Sequence, residues 1–107
     1  MPAPDIIIER TRKGVRITNK GREKVRIITA ILNYRYTVTS MADKPQSGQA
    51  YGSAYASRVG SERYTPMRDI DPGSSYEIEF YPPEIIVSVE LVVEVNRVRH
   101  SITKNFM

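Results

Sequence analysis

Between Ile85 and Val95 the chain alternates for eleven residues. Ile85, Val87, Val89, Leu91, Val93 and Val95 fall on one side, and Ile86, Ser88, Glu90, Val92 and Glu94 on the other. A period of two belongs to a β-strand with one face on a core and cannot be laid along a helix. The aliphatic supply agrees: twelve Ile and ten Val stand against two Leu, and β-branched side chains suit a pleated surface. A chain of 107 residues makes one domain, 1–107, large enough to bury a core unaided.

The rest of the chain is read with the same rule. Ile6 to Glu9 is a short edge strand, ended by Gly14. Val15 and Ile17 alternate with Arg16 and Thr18, and Asn19-Lys20-Gly21 has the composition of a hairpin loop. In the long run that follows, Val25 and Ile27 share one phase. Ile28, Ala30, Leu32, Tyr34, Tyr36 and Val38 share the other, so a bulge is expected at Ile27–Ile28 and both tyrosines are expected in the core. Residues 40–66 carry Tyr, Ser and Gly without a sustained period and read as a long loop, with an irregular edge strand within 50–59. Asp71-Pro72-Gly73-Ser74 is a type II turn launching Tyr76–Phe80. Asn96-Arg97 separates the 85–95 strand from a last strand through Val98, His100 and Ile102. The expected fold is all-β: an antiparallel immunoglobulin-like β-sandwich of about seven strands.

Charge is sorted along the chain. Residues 1–39 have a net charge of +6, whereas 69–96 hold seven acids and no Lys or Arg. Such blocks either pair across strands inside the fold or meet between molecules. Arg12, Lys13, Arg16, Arg22, Lys24 and Arg26 would form a phosphate-binding stripe if the strands around residue 20 made a hairpin. The acidic block and the pairing of basic with acidic strands weigh against that use.

Val15-Arg16-Ile17-Thr18-Asn19-Lys20-Gly21 and Ile70-Asp71-Pro72-Gly73-Ser74-Ser75-Tyr76, each with its following strand, resemble immunoglobulin-like adhesion modules of prokaryotic cell surfaces. They are similar in kind to the soluble domains of archaellum stator proteins, and a structural protein of an archaeal virus would show the same patterning. The resemblance implies a surface or scaffold module working by protein–protein contact. The chain departs from it in lacking an export signal and an anchoring helix, and it has no Cys or Trp for the core of an antibody-type domain.

No catalytic, cofactor-binding or metal-binding residues are expected. His100 is the only histidine, there is no cysteine, and Asp69 with Asp71 lacks a third ligand. No segment approaches the roughly 20 apolar residues of a membrane-spanning helix. The Ile/Val/Arg/Glu-heavy make-up is a compositional mark of selection for heat. The functional expectation is a structural or adhesive module with a protein partner and self-association, in a cell envelope or a virus particle. Nucleic-acid binding through the 10–26 segment is the alternative. Tyr51, Tyr55 and Tyr64, in a loop composed like a binding loop, are the candidate contact residues. Ile86 and Val92, apolar on the otherwise polar face of 85–95, join them.

Overall fold

Eight strands and one short 3-10 turn make up the computed structural model, which describes residues 4–39 and 55–106. The strands are β1 (Ile6–Arg10), β2 (Gly14–Asn19), β3 (Val25–Thr39), β4 (Tyr55–Tyr64), β5 (Arg68–Ile70), β6 (Ser75–Glu79), β7 (Ile86–Val95) and β8 (Val98–Asn105). One sheet has the order β1-β2-β6. The other has β4-β3-β7-β8, with β5 paired to the start of β3. All pairings are antiparallel. The chain crosses between sheets after β2, after β5 and after β6, and the two antiparallel sheets pack as a sandwich.

The core lies between the sheets. Val15, Ile17 and Ile78 from the smaller sheet face Val25, Ile27, Ala30, Leu32, Val89, Leu91 and Val93 from the larger. Burying each large aliphatic side chain contributes roughly 1.5–3 kcal/mol before chain entropy is charged against it.

The phase slip in β3 is a bulge. Ile27 pairs with Val93 and Thr29 with Val92, so Ile28 is the extra residue. Val25 and Ile27 before it, and Ala30 and Leu32 after it, are all brought inward. A second slip sits in β7, where Asn33 pairs with Ser88 but Tyr34 pairs with Ile86. Val87 is therefore the extra residue on that strand. The unbroken alternation read over 85–95 holds only from Val89 onward, and Ile86 turns into the core with 0% exposure.

The turns divide in the same way. Gly73 has φ +83°, and the Ser74 amide donates to the Asp71 carbonyl at 2.9 Å, as a type II turn requires. Asn96 and Arg97 both have positive φ, the conformation of a two-residue type I′ hairpin. The Asn19-Lys20-Gly21 hairpin is not formed: β2 and β3 belong to different sheets, and residues 20–24 cross between them. Composition marks a turn but does not say which strands it joins.

β4 replaces much of the loop expected at 40–66. Its ten residues pair with β3 from Tyr55↔Thr39 to Tyr64↔Ala30. The alternation was masked because Gly60 stands mid-strand and β4, at a sheet edge, carries charge on both faces.

Candidate interaction surface

β3 is fifteen residues long and β7 only ten. Their pairing ends at Tyr34↔Ile86. Beyond it, Arg35–Thr39 pairs only with Tyr55–Val59, so β3 and β4 continue as a two-stranded ribbon past the sandwich. The molecule measures 63 × 24 × 21 Å, with a radius of gyration of 18.1 Å. A compact chain of this size would have about 13 Å.

The ribbon lies open to solvent. Arg35, Tyr36, Thr37, Ser57, Arg58 and Val59 are exposed, Val59 to 66%. An exposed valine on an edge strand is apolar surface that the described residues do not cover. Tyr36 was expected in the core with Tyr34. Its phase is right, but no strand of the facing sheet among the described residues reaches this far, and it is 39% exposed.

Two sets of contacts fix the base of the ribbon. On the core side, the Tyr34 ring lies over Gly60, where an added Cβ would come within 2.7 Å of it. The same ring meets Tyr36 at 5.7 Å and Phe80 of the opposite sheet at 5.1 Å between centroids. On the outer side, Ser61 Oγ donates to Asn33 Oδ1 at 2.7 Å. Asn33 Nδ2 donates to Ser88 Oγ at 3.0 Å and to Glu90 Oε2 at 2.8 Å. This polar ladder joins β4, β3 and β7 and holds the edge strand in register. Tyr81, 88% exposed, follows Phe80 at the same end.

The basic residues do not form a stripe. Arg12 and Lys13 lie in the β1–β2 turn, and Arg16 sits between Glu9 and Glu77 on neighbouring strands. Arg26, in the other sheet, sits between Asp69 and Glu94. Arg22 and Lys24 are exposed on the crossing segment. Cross-strand neutralisation takes the form of an ion pair at Arg26, and Arg16 is placed opposite two acids by register.

Arg26 Nε donates to Asp69 Oδ1 at 2.9 Å. That hydrogen bond holds the Asp69 carboxyl below its usual range, against an opposing desolvation and with help from the charges of Arg26 and Lys24. A depressed folded-state pKa contributes stability above the unfolded pKa of about 3.9 and loses it as pH falls through the folded value. Asp69→Asn is therefore expected to be slightly less stable than wild type at pH 7, with the gap closing below about pH 4. Melting midpoints between pH 7 and 2 would show it.

No protein-family model, curated protein or solved structure matches this chain.

Of the candidate contact residues, Tyr51 lies outside the described residues, and Tyr55 pairs with Thr39 through the backbone of the ribbon. Tyr64 packs half-buried against the core rather than standing free. Burial raises its phenol pKa, assisted by Glu62 and Tyr34. Val92 is half-buried on the outer face, beside Thr29 and Ser101. Ile86 is no surface residue at all, because the Val87 bulge reverses its direction. Ile86→Lys consequently probes folding. It should lower stability by more than about 3 kcal/mol, read from chemical denaturation.

His100 lies on the inner side of β8 opposite Val93, and its buried Nε2 has no hydrogen-bond partner among the described residues. No three His, Asp or Glu side chains converge among the described residues. Sequence reasoning missed Arg35, Tyr36, Arg58 and Val59 as surface residues. The length of the run was visible, but which strand it would pair with, and which end would project, was not.

Proposed function

We propose that this domain is a non-enzymatic structural or adhesion module, of the kind built into cell envelopes and virus particles. It works by protein–protein contact, self-association included, through the β3–β4 ribbon. The observation that carries this reading is the overrun of β3 and β4 beyond the sandwich. It presents Tyr36, Val59 and a side of β4 that no strand among the described residues pairs with. Projecting strands whose amide and carbonyl groups are open on one side are suited to pairing with another chain.

The test is light scattering after size exclusion over a wide range of protein concentration. Association is expected to rise with concentration. Tyr36→Ser/Val59→Ser is expected to weaken it at least tenfold while the melting midpoint holds, since both side chains are exposed. Equal association by wild type and variant would remove the ribbon from this role.

A second reading rests on the ribbon's charge. Arg35, Arg58 and Arg63 accompany Tyr36, with Glu62 the one acid among residues 30–39 and 55–64. A two-stranded ribbon fits a major groove, and arginines neutralise phosphates. A short DNA duplex run with the protein separates the readings. A shift with DNA that disappears at high salt favours nucleic acid, and association indifferent to DNA favours the module.

A further inference from the structure

Resting on the self-association reading, the geometry points to its partner and register: a second copy of this chain, adding β4 to β4 antiparallel about a two-fold axis at Gly60. The argument is one of charge and parity. β4 pairs with β3 on one side, and no strand among the described residues pairs on the other. In an antiparallel pair, residues directly opposite share a face of the sheet. A two-fold axis perpendicular to the joined sheet keeps the faces of both copies aligned. Only registers centred on a residue then satisfy the pleat.

Two such registers leave nine residues of the ten-residue strand paired, centred on Val59 or on Gly60. Centred on Val59, Arg58 falls opposite Gly60 and Glu62 opposite Ala56. Centred on Gly60, Arg58 falls opposite Glu62 of the other copy, and the two-fold repeats the pair. A centre at Ser61 places Glu62 opposite Gly60 and shortens the overlap. The run Arg58-Val59-Gly60-Ser61-Glu62 is thus self-complementary in charge about its glycine. Arg58 and Glu62 are both exposed, and neither forms an ion pair among the described residues.

The glycine at the axis fits the same arrangement. With the Tyr34 ring over it, no side chain stands between the strands on the core side. Val59 falls opposite Ser61 on the outer face, which covers part of the exposed valine. An edge strand with scattered charge resists indiscriminate pairing; this pattern sets opposite charges face to face in one register alone. The contact is isologous, with residue i meeting j and j meeting i.

Charge reversal tests it. Arg58→Glu alone, or Glu62→Arg alone, places like charges opposite at two points and should weaken dimerisation about tenfold or more. The double variant Arg58→Glu/Glu62→Arg restores both pairs in reversed sense and should return to within a few-fold of wild type. Circular dichroism of each variant checks that the ribbon still forms. Because the chain has no cysteine, engineered ones report register directly. Opposed residues lie within disulfide reach, about 4.5–5.5 Å between Cα atoms. The double variant Val59→Cys/Ser61→Cys should cross-link on mild oxidation, while Val59→Cys alone or Ser61→Cys alone should not.

A wild-type chain that stays monomeric at all concentrations overturns both this dimer and the self-association reading. Association that ignores charge reversal, or a cross-link from either single cysteine, overturns the Gly60-centred dimer and leaves self-association standing.

Discussion

Gly14→Ala will destabilise the domain by about 3–5 kcal/mol, if it folds at all. Gly14 opens β2 at φ +151°, and an added Cβ would lie 2.1 Å from the Ile78 carbonyl oxygen and 2.7 Å from the Phe80 nitrogen. Both obstacles are backbone atoms of the neighbouring β6 region and cannot rotate away. The collision is relieved only by opening the β2–β6 ladder, where Gly14 pairs with Glu79 and the Phe80 amide donates to the Lys13 carbonyl at 2.7 Å. Val15 and Ile78, the next pair along, are both in the core, so the damage reaches buried apolar surface. The same movement disturbs the Thr11 turn, whose hydroxyl accepts from the Lys13 and Gly14 amides and donates to Glu77 Oε2 at 2.7 Å. Urea titration would register a lower midpoint at unchanged slope. Gly73→Ala is the control. Its φ is also positive, but nothing lies within 4 Å of the added Cβ. It should cost only about 1 kcal/mol of backbone strain. Equal losses from the two would show that conformation matters at Gly14 and collision does not.

Asn19→Leu is expected to cost about 2–4 kcal/mol, a large loss for one polar side chain. Asn19 has 0% exposure and is the only buried polar or charged residue among those described. Its amide nitrogen donates to the Glu23 carbonyl at 2.7 Å and to the Ile70 carbonyl at 2.9 Å, and its oxygen accepts from the Gly21 amide at 2.9 Å. The backbone of Asn19 accepts from the Gly73 amide at 2.7 Å and donates to the Ser74 carbonyl at 3.0 Å. One residue thus ties the end of β2, the crossing segment, the end of β5 and the type II turn. Leucine fills similar volume but strands the buried Ile70 carbonyl and removes the part-buried bonds to the Glu23 carbonyl and the Gly21 amide. Thermal unfolding by calorimetry would measure the loss. A fall under about 1 kcal/mol would mean that solvent reaches those groups after a small rearrangement.

Asn19 also shows why parts of this fold were hard to read. In sequence it opens Asn-Lys-Gly, a hairpin signature, yet the chain there bends across to the other sheet instead of turning back. What local chemistry cannot encode is that the Ile70 carbonyl waits on the other side, because that contact joins residues 51 apart in sequence. The same distinction runs through the charges. Alternating Arg16 and Arg26 with the acids of later strands makes pairing legible in outline, yet their separation into two sheets is not.

Periodicity determined the strands, because a pleat forces side chains to alternate and a bulge shows as a slip in phase. Ile27–Ile28 was visible in this way, as were the Pro-Gly turn and the all-β class. The Val87 bulge was not, since apolar residues stand on both sides of it and no phase is lost. β4 was legible only as an irregular edge strand within 50–59, and 60–64 only as loop, for a related reason: an edge strand buries little, so its sequence is not driven to alternate. Which strands end beside which neighbours belongs to the tertiary structure alone. That decided that Tyr36 and Val59 face solvent and that Ile86 does not. Exposure depends on where the opposing sheet stops, and no local pattern in β3 or β4 records the length of another strand.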